Sequence, residues 1–205
     1  LEATGTRMTE DQVMAQVMAD APYYARSGGG LTLSGGEPVL QADFAQALLA
    51  HARSRGVNTC VETAGNYPPR LIDRMLRHTD LVLFDVKSMD EAVYREHVGS
   101  TLRAALDTLN HIDDIGVPII ARTPVIGGVN DSPEQIEKIA QYLTKLKNLR
   151  HYALVPYHSL GKAKYQALGL SYDEPFYSPA PGEMEALERL AALYVKVFNH
   201  NRGYI

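Results

Sequence analysis

The sequence predicts an α/β fold in which parallel strands alternate with helices. Five short apolar runs recur along 205 residues, four of them followed by a stretch of helical period before the next run, and each ends in polar residues. Strand, helix, strand implies parallel pairing, because the helix must return the chain to the starting edge. Near-continuous apolar strands imply cover on both faces. A partial (β/α) barrel of five strands with outer helices and an open doubly wound sheet both satisfy the pattern.

The opening helix spans Thr9 to Tyr24, with Val13, Met14, Val17 and Met18 at helical spacing and Gln12 completing a capping box on Thr9. "LTLS" (31–34) is the first strand, and "ADFAQALLAHARSRG" (42–56) is an amphipathic helix stopping at Gly56. "VNTCVET" (57–63) is the second strand, before a helix from Pro68-Pro69 to about His78. "LVLFDVKS" (81–88) is the third, followed by a helix from Leu102 to Ile115 that ends at Gly116. "VPIIARTPV" (117–125) precedes a helix over 132–146, capped by Ser132 with Pro133 in its first turn. "HYALVPYH" (151–158) is the last strand, and 159–181 is an irregular loop. Helical period returns from Gly182 to about His200.

The chain fits one domain, 1–205, large enough for a single core. A net charge of −4 with no basic tract argues against nucleic-acid binding. No apolar run is long enough for a membrane helix, and the first residues lack a signal-peptide profile, so the expected location is cytoplasmic. The sequence does not open with Met, which suggests a fragment or processed product. Cys60 is the single cysteine, so neither a disulfide nor a cysteine-ligated metal site can be built from this chain alone. It reads as a small core residue, and Met14, Met18 and Met75 as packing. His51, His78, His97, His111, His151 and His200 lack metal-ligand spacing.

The strand ends are the informative feature: Ser34-Gly35-Gly36-Glu37-Pro38, Glu62-Thr63, Asp85-Val86-Lys87, Arg122-Thr123-Pro124 and Tyr157-His158. In parallel α/β architectures these ends share one face, where ligands bind. Asp85 and Lys87 lie two residues apart, so on a strand both side chains point the same way. They could pair with each other or grip a zwitterion, Asp on an ammonium and Lys on a carboxylate. Gly35-Gly36 could equally make a tight turn, Glu62 could be a solvated strand-end acid, and Arg122 and His158, taken singly, could be structural.

Six segments together resemble the radical S-adenosylmethionine enzymes, specifically the activases of glycyl radical enzymes such as pyruvate formate-lyase activating enzyme. They are "SGGGLTLSGGEPVLQADF", "GVNTCVETAGN", "TDLVLFDVKSMD", "HVGSTLRAAL", "VPIIARTPVIGGVND" and "LVPYHSLGKAKYQALG", covering roughly residues 8 to 170. The resemblance implies that Ser34, Gly35, Gly36, Glu37 and Pro38 form a loop whose backbone meets the methionine ammonium of S-adenosylmethionine. It implies that Asp85 and Lys87 hold that ammonium and the carboxylate, with Arg122 and His158 along the nucleoside. Glu62-Thr63 stands where pyruvate formate-lyase activase has an Asp-Thr pair near the ligand and a monovalent cation, which would lie by Glu62 and Asp85.

Such activases carry a [4Fe–4S] cluster on three cysteines after the first barrel strand. That triplet is absent here, so the chain alone is expected not to form a 5′-deoxyadenosyl radical. The expected partners of the intact protein are a glycyl radical enzyme and a flavodoxin or ferredoxin electron donor. The opening segment resembles the stretch after a ferredoxin-like insert found in some activases, which makes the chain a truncated or fragmentary activase. Without a preceding strand, the edge of "LTLS" is expected to promote self-association. Two competing readings are a cluster-free binding or scaffold module and a non-radical β/α enzyme using Asp85, Lys87 and His158.

Overall fold

The computed structural model describes residues 5–172 and 176–198. Thr9 caps helix α1 (Glu10–Ala19) reciprocally with Gln12: the Thr9 hydroxyl accepts the Gln12 N–H at 3.3 Å, and Gln12 Oε1 accepts the Thr9 N–H at 2.9 Å. The expected single helix breaks at Asp20, and α2 (Ala21–Ser27) starts anew. Pro22 supplies the reason, since it has no N–H for the ladder and its ring crowds the carbonyl four residues back. It is tolerated in the first turn of α2.

Five strands follow: β1 (Gly30–Leu33), β2 (Asn58–Thr63), β3 (Leu81–Asp85), β4 (Ile119–Val125) and β5 (Leu149–Pro156). They form one parallel sheet in sequence order. Between them run α3 (Ala42–Ser54), the single turn α4 (Asp73–Leu76) after a 3-10 turn at Pro69–Ile72, a short α5 (Glu91–Val93) continuing into a π turn, α6 (Leu102–Ile115) and α7 (Pro133–Leu143). The caps expected at Ser132 and Gly116 are present; Gly116 adopts φ +92°, a left-handed stop that glycine enters without steric cost.

Sequential order decides between the two expected architectures. Right-handed crossovers joining neighbouring strands all fall on one side of the sheet, whereas a doubly wound sheet reverses direction at a switch point. Val61, Val82, Phe84, Ala121 and Leu154 are 0% exposed beneath the helices. Cys60, Leu83 and Ile120, on the opposite face, are only half-buried. The sheet is therefore a partial barrel with an open concave face, and the expectation of cover on both faces fails for these strands. A second cluster, Met14, Leu48, Ala52 and Val57, packs α1 on α3, where His51 Nδ1 lies 2.7 Å from Glu10 Oε1.

Two C-terminal expectations change. Residues 159–167 are helical, a 3-10 turn at Ser159–Gly161 running into α8 (Lys162–Ala167), and Pro181 already belongs to the closing helix, so the irregular part among the described residues is 168–172 and 176–180. The closing helix α9 (Pro181–Ala191) ends early. Its expected last residues divide: 199 and 200 lie outside the described residues, and 196–198 are extended along β5. There the Tyr152 N–H donates to the Lys196 carbonyl at 2.9 Å, and the Phe198 N–H donates to the Tyr152 carbonyl at 2.8 Å. Val197 and Phe198, β-branched and aromatic, suit the extended state, while the Tyr194 and Val195 N–H groups still bond the Ala191 carbonyl in a last helical turn.

Candidate functional site

The C-terminal ends of β1, β2 and β3 surround one cavity of about 480 Å³, lined by Ser34, Gly35, Gly36, Glu37, Glu62, Thr63, Asp85 and Lys87 among others. Gly35 has φ +116°, a backbone state closed to ordinary side chains. A Cβ on Gly36 would meet nothing within 4 Å, so the backbone there has room for a side chain without a clash. Pro38 opens a 3-10 turn (Pro38–Gln41) that carries the loop into α3.

Charge is concentrated at the ends of β2, β3 and β4, where Asp85 and Arg122 are register partners. Arg122 Nη2 lies 2.7 Å from Asp85 Oδ1 and 2.6 Å from Glu62 Oε1, while Arg122 Nε donates to the same Asp85 oxygen at 2.9 Å. Lys87 Nζ holds the other Asp85 oxygen at 2.6 Å. Of the two options open for Asp85 and Lys87, mutual pairing is the one seen. The Asp85 and Arg122 side chains are 12% and 15% exposed, burial at which single-partner removal leaves a costly unpaired charge. Burial pulls the Arg122 guanidinium down, but Asp85 and Glu62 more than offset this and hold it above its ordinary value.

A neutral network fixes the backbone beneath these charges. The Lys87 N–H donates to the Tyr94 hydroxyl at 3.3 Å, and the Lys87 carbonyl accepts Asn130 Nδ2 at 2.6 Å. Thr123 Oγ1 donates to the Val86 carbonyl at 2.7 Å and accepts the Tyr152 hydroxyl at 2.8 Å. On the other wall, Glu37 Oε2 accepts from Thr63 Oγ1 at 2.9 Å and from the Ala64 N–H at 3.3 Å. Glu37 Oε1 is buried without a hydrogen-bond partner, as is Asn66 Oδ1. Burial pushes the Glu37 carboxyl above its ordinary value, and hydrogen bonding, from the Thr63 side chain foremost, only partly opposes that. Sequence reasoning passed over Asn130, Tyr94 and Asn66; a buried Asn in "GVND" is legible only once its burial is known.

The predicted residues do not all meet. Ser34 to Glu37, Glu62, Thr63, Asp85 and Lys87 share the cavity. Arg122 joins them through its ion pairs and also borders a second space of about 820 Å³ on the concave face, with Thr32, Cys60, Leu83, Ile120 and His151. His158 lies beyond the end of β5, exposed, and lines neither space. From the same side, Lys164 Nζ reaches the Gly35 carbonyl at 3.5 Å. Burial pushes the Cys60 thiol up to about 11. No described helix is long and apolar enough to cross a membrane.

The Radical SAM superfamily is matched over residues 3–143. The (2S)-3-sulfopropanediol sulfolyase activating enzyme of Bilophila wadsworthia is 40% identical over 82% of this chain and 56% of its own length. The pyruvate formate-lyase-activating enzyme of Clostridium pasteurianum is 36% identical over 83% of this chain and 71% of its own. The isethionate sulfite-lyase activating enzyme of Desulfovibrio desulfuricans is 40% identical, with 80% and 53% covered. The chain thus spans little more than half the length of two of these three relatives. A domain of a pyruvate-formate lyase-activating enzyme from Bacteroides vulgatus superposes with a TM-score of 0.70 at 24% identity over 83% of this chain and 98% of that one, a likeness of fold. With the partial parallel barrel, these matches establish that the chain belongs to the radical SAM superfamily, among the activating enzymes that include those of pyruvate formate-lyase.

Proposed function

We propose that this chain is the S-adenosylmethionine-binding core of a glycyl radical enzyme activase. The observation that carries the reading is the single cavity shared by the Gly35–Gly36–Glu37 loop and the Asp85–Lys87 pair. A ligand bearing both an ammonium and a carboxylate needs acceptors and cations within a few ångströms of each other, and this rim supplies both. Gly35 and Gly36 leave backbone groups bare for the ammonium, with Asp85 as its counter-charge. Lys87 takes the carboxylate by exchanging part of its bond to Asp85. Arg122 remains between Glu62 and Asp85 and borders the nucleoside. His158 reaches the ligand only if the segment after β5 moves inward. The cavity, at about 480 Å³, is of the size that encloses small cofactors.

Superfamily membership implies S-adenosylmethionine and a [4Fe–4S] cluster. When bound, S-adenosylmethionine supplies the group that removes a glycine Cα hydrogen from the partner enzyme. The cluster does not fit the residues present: Cys60 is the one cysteine, and no described group of three His, Cys, Asp or Glu could hold a metal. Three thiolates must come from outside these 205 residues, so the chain by itself binds ligand without cleaving it. A glycyl radical enzyme as partner and a flavodoxin or ferredoxin as donor belong to the intact protein.

Calorimetric titration with S-adenosylmethionine tests this. Saturable binding that is lost in Asp85→Asn and Lys87→Ala, with circular dichroism unchanged, is the expected result. A folded chain that takes up no ligand points instead to a cluster-free scaffold module and sinks the proposal.

A further inference from the structure

The family resemblance places a monovalent cation beside Glu62 and Asp85, and the geometry here does not suit one. One guanidinium nitrogen, Arg122 Nη2, already touches both carboxylates, at 2.6 Å from Glu62 and 2.7 Å from Asp85. Lys87 occupies the remaining Asp85 oxygen. Glu62 and Asp85 therefore face two cations, Arg122 and Lys87, and these four charges balance. Among the described residues no group of three His, Cys, Asp or Glu side chains could hold a metal ion. A sodium or potassium ion entering between Glu62 and Asp85 would have to displace a guanidinium whose side chain is 15% exposed, breaking three contacts to gain two.

We infer that the Arg122 guanidinium is the built-in cation of this site, so that ligand capture is indifferent to which monovalent cation is in solution. The length of Glu62 is part of the device. Arg122 pairs with Asp85 directly across β3 and β4, whereas Glu62 sits one strand further, opposite Leu83. Its extra methylene, relative to Asp, carries the carboxylate to the guanidinium. Arg suits the role because its planar fork can serve two acids at once, which a lysine ammonium does with less directional preference.

The inference rests on the ligand reading above, and the experiment separates the two. The 205-residue chain is studied in potassium, sodium and tetramethylammonium chloride at equal ionic strength, by thermal unfolding and by titration with S-adenosylmethionine. Unfolding midpoints that agree across the three salts, and dissociation constants that agree within about twofold, are expected. Arg122→Ala should become salt-specific, with a midpoint higher in potassium than in tetramethylammonium, because Glu62 and Asp85 then share only the Lys87 ammonium and the excess negative charge invites a metal ion. Should Arg122→Ala not fold, Arg122→Gln retains more of the side chain without the charge and gives the same readout. A parent chain whose midpoint or affinity drops in tetramethylammonium overturns the inference. Midpoints indifferent to salt with no ligand uptake in any of them support the guanidinium's role and overturn only the ligand reading.

Discussion

Asn130 and Lys87 lie 43 residues apart in sequence and are joined by a 2.6 Å hydrogen bond from the Asn130 amide to the Lys87 carbonyl. The same amide nitrogen donates to the Pro124 carbonyl at 2.9 Å, and Asn130 Oδ1 accepts the Ile126 N–H at 2.7 Å. At 3% exposure this side chain sutures the end of β4 to the end of β3 and so fixes the backbone from which Lys87 projects. Its removal strands three backbone groups. Asn130→Ala should cost about 2–4 kcal/mol in urea unfolding. Asn130→Asp, though nearly isosteric, should cost more at neutral pH, because a carboxylate oxygen would then face two carbonyls. An Asp variant as stable as the parent would contradict the suture.

The two kinds of glycine at β1 should separate folding from binding. A Cβ on Gly30 would sit 1.9 Å from the Asn58 carbonyl oxygen, inside the β1–β2 ladder. Gly30→Ala should lower stability by more than about 2 kcal/mol. Gly36→Ala should stay within about 0.5 kcal/mol of the parent, yet weaken S-adenosylmethionine binding by at least about tenfold. Chemical denaturation and calorimetry on the two variants give the comparison. Equal loss of stability would show that Gly36 is a turn residue only.

Glu37 predicts a pH dependence of definite sign. Burial raises its carboxyl above the ordinary value of 4.5 in the folded chain. Below about pH 4.5 both folded and unfolded chains carry the proton and no penalty arises. As pH rises through the window up to the raised folded value, the unfolded chain ionises first, and folded stability falls. Glu37→Gln abolishes this contribution. The stability difference between Glu37→Gln and the parent should therefore move in favour of the variant as pH climbs from about 4.5 toward neutrality, levelling off above the raised value. Urea midpoints collected across that range check it; a difference moving the other way would mean Glu37 is held as a stabilised anion.

The Cys60 thiol should be sluggish. Its value near 11, against 9.0 for a free thiol on the same scale, leaves about one-hundredth as much thiolate at pH 8. Alkylation by iodoacetamide should be slower than that of a free cysteine by about that factor, and should reach the free rate in urea. Fast labelling of the folded chain would show that the concave face opens.

Much of this architecture was legible because its signals are local. Thr9 with Gln12, Ser132 with Pro133 and Gly116 each state a helix boundary in a few residues. The rim was legible because polar residues interrupt apolar strands at Glu62, Asp85 and Arg122. His158 was not, because β5 ends at Pro156, two residues before the expected end, and the chain leaves the rim there. Asn130 escaped because its value lies in partners at Lys87 and Pro124, a tertiary fact. The open concave face escaped as well: Leu83 and Ile120 are as apolar as their covered neighbours, and only strand order says which side the helices take.

The shared guanidinium has a consequence for how this site can change. Glu62, Asp85 and Arg122 occupy three neighbouring strands yet answer to one nitrogen atom, so their substitutions should be strongly non-additive. Reversing or neutralising one member alone leaves the others mismatched, while a compensated pair restores balance. Variation across these positions should therefore travel in linked sets, and the trio behaves as one heritable character spelled in three separated codons.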